Sequence, residues 1–341
     1  MNFEKAVLWS DIHFGKKNNS DQHNTDCLNY INWMIQEAKS FGAETCICLG
    51  DFFDVRNSIN VKTLNYALSA LELLSQSFKK VIIIAGNHDL YLKDSRNIHS
   101  LKCARHIDNI TIIDEITVDD DCAFVPWLVA DEWERVKDIK AKYVFAHLEL
   151  PNFFTNSKKT MHDRGGLKGD DFSGQEFVFS GHFHLRQTYK NPNGANIIYI
   201  GNCFPHDYSD ANDTERGCVL LEHDKDPIFV NWEECPKYAT GVLSDLLENP
   251  ENYLSQKSHI RIESDLNVDY NETAFIREVL LAQFNARELI IYPKKTDFSI
   301  LEESNVAEEF KSVDNIVLSH IDSLESVSFD KKILADIYNS I

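Results

Sequence analysis

The residues of this chain best suited to chemistry are acids, imidazoles and one amide, gathered in five short clusters. In chain order these are Asp11-Ile12-His13, Gly50-Asp51-Phe52-Phe53-Asp54, Gly86-Asn87-His88-Asp89, His147, and Gly181-His182-Phe183-His184. Asp11/His13 and His182/His184 are i, i+2 pairs, which an extended backbone points to the same side. Carboxylate, imidazole and amide donors without a thiolate suit Mn²⁺, iron or Zn²⁺ better than Ca²⁺, which takes oxygen only. Asp11, His13, Asp51, Asn87, His147, His182 and His184 are too many ligands for one ion. They are the right number for two ions that share a carboxylate. Two metals about 3.5–4 Å apart hold a hydroxide between them and clamp the phosphate oxygens of an in-line displacement. His88 adjoins Asn87 and is tied to the cluster without being needed as a ligand. A protonated imidazole there would stabilise developing charge or protonate the leaving oxygen. A single Asp-x-His or Gly-Asp is common by chance, and a lone histidine is more often a core or capping residue than a ligand. What separates this chain from chance is that all five clusters occur in order, each after an apolar run.

Those runs are the elements that must position the ligands. They span residues 6–9, 45–49, 81–85, 143–146 and 177–179, with further strands expected at 122–128 and 197–200. Between the first two, Leu28, Ile31, Ile35, Ala38 and Phe41 recur at helical spacing, and Gly42 is placed to end the helix. Val61, Leu64, Leu68, Leu71 and Leu74 do the same before the third. Alternating strand and helix patterns predict a layered α/β fold, in which loops at the carboxyl ends of strands converge on one site. Around 235–257 the pattern breaks at Pro236, Gly241 and Pro250, which predicts a boundary. Beyond it the spacing predicts a strand at 259–262, a helix at 272–284, a strand at 288–292 and two helices from about 300. In the last helix Phe329, Ile333, Ile337 and Ile341 form one apolar stripe that needs a surface to pack on. The expected organisation is a catalytic domain over 1–240, a small α+β unit over 255–297 and a helical tail over 298–341.

At 341 residues with 43% hydrophobic side chains, the chain can bury a large core, which argues against general disorder. No apolar run reaches the roughly 18 residues that cross a bilayer, and Met1 to Ser10 lacks a signal pattern, so a soluble, cytoplasmic protein is expected. The eight cysteines include no C-x-x-C pair. Cys46 and Cys48 read as small hydrophobes on one face of a strand. The formal charge is −20, from 34 basic and 54 acidic residues, which disfavours a free-standing nucleic-acid binder. Residues 241–341 hold 9 basic and 19 acidic side chains, so the tail faces water or a basic partner.

Asp-x-His, Gly-Asp-x-x-Asp, Gly-Asn-His-Asp, His and Gly-His-x-His, in this order, resemble the motifs of the calcineurin-like metallophosphoesterases across roughly residues 5–220. The resemblance implies a four-layer α/β sandwich with the site at one end, a small capping domain and C-terminal helices. It implies one metal held by Asp11, His13, Asp51 and His184, and another held by Asp51, Asn87, His147 and His182. His88 matches the family's non-ligand catalytic histidine. A narrower resemblance is to the DNA-repair nucleases of the superfamily. It is carried by Gly50 to Arg56, Val125-Pro126-Trp127, Tyr199-Ile200-Gly201 and Arg216-Gly217. That branch implies two Mn²⁺ ions, 3′-to-5′ exonuclease and single-strand endonuclease activity, and a DNA substrate. It also implies an SMC-like coiled-coil ATPase partner bound through the C-terminal helices, leaves a homodimer open, and makes a phage origin plausible. Asp54 stands where archaeal and eukaryotic members carry a second catalytic histidine; bacterial and phage-type members resemble this chain there. Asp54 is therefore expected to position His88 or a water. The competing reading is a stand-alone phosphatase or nucleotide phosphodiesterase of the same superfamily, which fits the acidic charge and needs no partner. A binding scaffold with a degenerate metal site is disfavoured by the complete ligand set.

Weaker candidates are Lys158, Lys159, His162, Arg164 and Lys168, which could track a phosphate backbone or form an ordinary solvated loop. Trp9 and Trp127 read as core. His23, His99, His106, His206, His223, His259 and His320 lack motif context and receive no role.

Overall fold

The computed structural model describes residues 3–156, 159–192 and 194–293. The tail expected over 298–341, its apolar stripe, His320 and Lys158 lie outside the described residues.

Two six-stranded sheets form the centre. One runs, edge to edge, Ile228–Asn231, Gly217–Glu222, Lys5–Trp9, Thr45–Cys48, Lys80–Ile84 and Ile110–Ile113. The other runs Gln187–Lys190, Asn196–Tyr199, Phe177–Gly181, Tyr143–His147, Cys122–Val125 and Thr117–Asp119. In each, four consecutive strands are parallel, among them all five that lead into predicted ligands, so their carboxyl ends share one edge. Alternation along each strand divides its side chains between two cores. Ala6 and Leu8 face the second sheet, while Val7 and Trp9 face the helices. Cys46 and Cys48 also lie on the helix side, fully buried, and all eight cysteines are free thiols.

The core between the sheets is an aromatic ladder set by register. Phe177 is paired with Tyr143 and Phe179 with Phe145, and both pairs stack, at 6.2 and 5.8 Å between centroids. Such cross-strand aromatic contacts stabilise one register over its slips.

Helices Asp21–Phe41 and Val61–Ser77 cover the outer face of the first sheet. Ser20 caps the first by accepting from the His23 amide, and Gly42, at φ 82°, ends it as the sequence predicts. The outer face of the second sheet has no long helix among the described residues. The five-residue helix Trp133–Lys137 and the chain around Leu148, Phe153, Leu167 and Phe172 bury it instead. The four-layer sandwich is therefore present, with one outer layer built largely of loop.

A separate three-stranded parallel sheet follows, ordered Lys237–Val242, Ser258–Glu263, Glu288–Tyr292, with helix Tyr270–Phe284 and its own core of Leu243, Ile260, Ile262 and Leu289. Its first strand lies within the stretch whose Pro and Gly residues read as a break. Pro236 stops short of the strand, and Gly241 is where Tyr253 packs against the backbone. The unit is tied to the sandwich by a bidentate pair of Arg287 with Asp26, at 2.6 and 2.7 Å, and by Tyr208 donating to Glu288 at 2.7 Å.

Arg216 is the largest charged side chain buried in the sandwich, at 1% exposure. Its guanidinium contacts Asp213 at 2.6 Å, Asp210 at 3.7 Å and the Asn202 amide oxygen. Truncating it would strand Asp210 without its counter-ion. Arg216→Ala is expected to lower unfolding free energy by about 3–5 kcal/mol, the usual cost of breaking a buried pair. Urea denaturation of the two proteins measures this, and a loss below about 1 kcal/mol would show the network to be dispensable.

Candidate metal centre

Every predicted ligand lies at the shared carboxyl edge of the two sheets. Asp11 and His13 follow Lys5–Trp9, Asp51 follows Thr45–Cys48, and Asn87 and His88 follow Lys80–Ile84. His147 is the last residue of its strand, and His182 and His184 follow Phe177–Gly181.

Asp51 occupies the centre. Its Oδ2 lies 3.4 Å from His147 Nε2 and 3.7 Å from His13 Nε2, and its Oδ1 accepts from the His88 amide at 2.7 Å. On one side, Asn87 Oδ1 lies 3.1 Å from His147 Nε2 and 2.9 Å from His182 Nδ1. Asp51, His147 and His182 present donor atoms within 4.8 Å of one another. On the other side, His13 Nε2 lies 3.9 Å from Asp11, and its ring is 5.3 Å from that of His184. The structure thus brings all seven predicted ligands together in two groups that meet at Asp51.

The loops that do this are held in uncommon conformations. Asp11, His13, Asp51 and His182 have φ of 54°, 53°, 52° and 89°. Such left-handed residues cost about 1–3 kcal/mol each and persist only where their surroundings over-determine them. The Asp11 and His13 amides donate to the carbonyls of Gly50 and Asp51, at 3.0 and 3.1 Å, which zips two ligand loops together. Asp89 fixes a third, its carboxylate accepting from the Phe52, Phe53 and Gly86 amides at 3.3, 3.0 and 3.0 Å. Gly86 and Gly181 have no alternative. A Cβ at Gly86 would overlap Asp51, and one at Gly181 would overlap Ser10.

Second contacts orient the rings. His147 Nδ1 donates to the Leu49 carbonyl at 2.7 Å, which leaves Nε2 for a ligand. His13 Nδ1 lies 3.2 Å from the Asp54 carboxylate, and His182 Nε2 lies 3.5 Å from Glu149. Carboxylates behind metal-binding imidazoles are a recurrent way of fixing ring orientation. Asp54 does position His88, but through its backbone: the Asp54 carbonyl accepts from His88 Nδ1 at 2.7 Å. Its side chain serves His13.

Charge is the remaining issue. Asp11 and Asp51 are both buried, at 0% and 2% exposure. Burial pushes the Asp11 carboxyl up. Burial acts the same way on Asp51, but His147, His13 and His88 overcome it and hold Asp51 well below the usual carboxylate range. His147 is opposed by burial too, yet the Asp51 carboxylate raises it to about 9. Burial, with repulsion from His13 and Lys16, holds His184 far below its ordinary value. Two buried carboxylates ringed by imidazoles, with His13 Nε2 buried and without a hydrogen-bond partner, fit a pair of divalent cations.

The sequence reading missed several neighbours. Trp127, read as core, is indeed buried, but its ring lies 5.0 Å from that of His182 and 6.1 Å from that of His147. Lys16 reaches Asp54 and Asp207, at 4.0 and 3.7 Å. His206, given no role, packs against His13 and His184. It follows Asn196–Tyr199, a further parallel strand whose apolar run ends in Gly, as three of the five ligand-bearing runs do. That was the available signal. Among the basic loop residues, Arg164 faces Glu149 at 3.7 Å and Lys168 pairs with Asp163 at 2.7 Å.

This architecture and donor set define a metal-dependent phosphoesterase. Residues 5–186 match the family described as Calcineurin-like phosphoesterase, and the chain belongs to that family of hydrolases. Exonuclease subunit 1 of Enterobacteria phage T4 is 30% identical over 227 residues, a span covering 64% of each protein. The match therefore spans less than two thirds of that relative. Among solved structures, a dimetal phosphatase from Danio rerio aligns at 12% identity and a TM-score of 0.42, over 65% of this chain and 93% of that one. Pseudomonas putida nuclease MPE aligns at 18% identity and a TM-score of 0.32, over 64% and 84%.

An imidazole must be neutral to bind a metal, whereas His147, raised to about 9, carries a proton at pH 7 in the metal-free chain. Metal uptake at pH 7 is therefore expected to release a proton from His147, and affinity should climb with pH up to about 9. Calorimetric titration in two buffers of different ionisation enthalpy checks this, and equal heats in both would refute it. The metal-free chain should behave oppositely in stability. A raised folded pKa stabilises below the ordinary histidine range, and that contribution is lost as pH rises through about 9.

Proposed function

We propose that this chain is a DNA nuclease subunit that cuts phosphodiesters with two divalent ions, as a 3′-to-5′ exonuclease and single-strand endonuclease, in an SMC-like ATPase–nuclease complex of recombination and repair. The supporting observation is its 30% identity over 227 residues with a phage protein named as an exonuclease subunit. On this reading the sandwich, expected over 1–240, carries the nuclease; the small unit, expected over 255–297 but beginning with the strand Lys237–Val242, caps the DNA; and 298–341 dock the ATPase. Asp11, His13, Asp51 and His184 hold one ion, and Asp51, Asn87, His147 and His182 the other. Mn²⁺ suits this mixture of carboxylate, amide and imidazole donors.

The ions supply polarisation of the phosphate oxygens and a more acidic water. The chain supplies the rest. With Nδ1 engaged by the Asp54 carbonyl, His88 has Nε2 left to face the substrate. Burial, ahead of the opposing pull of Asp51, holds His88 below its ordinary range. The protonated imidazole expected from sequence is thus disfavoured in the free site; the negative charge of a bound phosphodiester would raise its pKa, so that His88 takes up a proton from solvent. Trp127 packs its ring against those of His147 and His182.

His88→Ala should retain its metals and bind DNA nearly as before while its rate falls by about 10² to 10⁴, the range for a lost acid or charge stabiliser. Metal analysis beside single-turnover cleavage checks this. A parallel loss of metal would make His88 a ligand.

The formal charge of −20 favours the second reading, a stand-alone phosphatase or nucleotide phosphodiesterase. Labelled single- and double-stranded DNA and a generic phosphomonoester, each with Mn²⁺ or Mg²⁺, separate the two. A nuclease cuts DNA in preference, and a phosphatase the monoester. The partner is tested by comparing recovery of a coiled-coil ATPase with the full chain and with residues 1–297. Equal recovery with both would sink docking through the tail.

A further inference from the structure

We infer that His206 is a further protein ligand to the first ion, beside Asp11, His13, Asp51 and His184. This rests on the two-ion reading above and deepens it.

His206 is fully buried, at 0% exposure, and neither of its ring nitrogens has a hydrogen-bond partner. A buried neutral imidazole ordinarily donates through one nitrogen and accepts through the other, so an orphaned ring needs something that the protein's own groups do not supply. Its surroundings show what that is. His13, His184 and His206 each present a nitrogen, and the three atoms lie within 4.8 Å of one another. The His206 ring stands edge-on to both partners, at 88° and 5.5 Å from His13 and at 81° and 5.4 Å from His184. Perpendicular ring planes are compatible with in-plane lone pairs that meet at one ion, and the mutual approach of the three donor atoms is what points to it. On the remaining sides lie Phe204, which offers no polar atom, and His23. His23 Nε2 already faces the Ile12 and His13 carbonyls, at 3.3 and 3.0 Å.

The residue is also held in place. The His206 amide donates to Asp210 Oδ2 at 2.9 Å, and Asp210 is fixed in turn by Asn202 and Arg216. The buried Arg216 network thus presents an imidazole to the metal centre. The consequence is an asymmetric pair. The first ion has three imidazoles and two carboxylates, whereas the second has two imidazoles, the amide and the shared carboxylate. Richer imidazole donation favours Zn²⁺ or iron over Mg²⁺ at the first position and makes that ion the slower to leave.

The test uses the full chain, stripped with a chelator and reloaded with Mn²⁺, beside His206→Gln and His206→Phe. Bound metal is counted by elemental analysis, and affinity is measured by chelator competition. Imidazole nitrogens coupled to Mn²⁺ are counted by electron-spin-echo modulation, and circular dichroism confirms folding. The unmodified chain should bind about two ions. In both variants one ion should weaken by about tenfold or more while the other is unchanged, and one coupled nitrogen should disappear. If His206→Phe does not fold, His206→Gln alone carries the comparison. Unchanged affinities and nitrogen count, with two ions bound, would overturn the assignment and leave His206 paired with a buried water. Fewer than two ions in the unmodified chain would instead overturn the two-ion reading, and the ligand assignment with it.

Discussion

Asp51 is a carboxylate almost wholly removed from water, with a second buried carboxylate, Asp11, on the neighbouring loop. Charge in that setting must be answered locally, because low-dielectric surroundings neither screen it nor tolerate it unpaired. The imidazoles of His13 and His147, from two other loops, face Asp51, and a backbone amide from the His88 position donates to it. In the metal-free chain a proton on His147 supplies part of the compensation. Two divalent cations would supply it more fully, which is the physical reason this cluster suits a metal site better than a polar core.

That requirement propagates outward through the backbone. Four predicted ligands accept left-handed conformations, and Gly86 and Gly181 give up side chains so that loops can approach Asp51 and Ser10. Strain of this kind is sustained by what lies beneath it. The two sheets and their aromatic ladder hold the strand ends in register, and Asp89 locks the Asp51 loop to the Asn87 loop through three amide donors. Arg216 supports the His206 loop through Asp210. A site with so many supports can keep ligands aligned before any ion arrives, which lowers the cost of binding it.

The overall negative charge matters less at this centre than the net figure suggests. Much of the local acidity belongs to carboxylates that cations would neutralise, and others are paired within the fold, as Asp26 is with Arg287 and Glu132 with Arg96. Arg164 and Lys168 of the loop before Gly181 are likewise paired, with Glu149 and Asp163. An anionic substrate would be drawn to the ions more than to the surface around them.

The order Asp-x-His, Gly-Asp, Gly-Asn-His-Asp, His, Gly-His-x-His named the candidate donors, because ligation depends on residue type and each cluster sits at a strand end marked by its apolar run. The same periodicity determined the α/β class and the two long helices, since burial of alternating or helical faces is a local property of the chain. Other features depended on contacts between distant segments. The apolar pattern alone does not show that the outer layer of the second sheet is mostly loop, or that Lys237–Val242 joins a sheet across a Pro- and Gly-containing stretch. Sequence placed Asp54 beside the site, but only the fold gave its carboxylate to His13 and its carbonyl to His88. His206 makes the point most clearly. It lies six residues past its apolar run, in no motif, and only the return of that loop against His13 and His184 brings its ring to the metal centre. Residue type and local period are written in the chain, whereas the neighbours of a loop side chain are set by the packing of strands far apart in sequence.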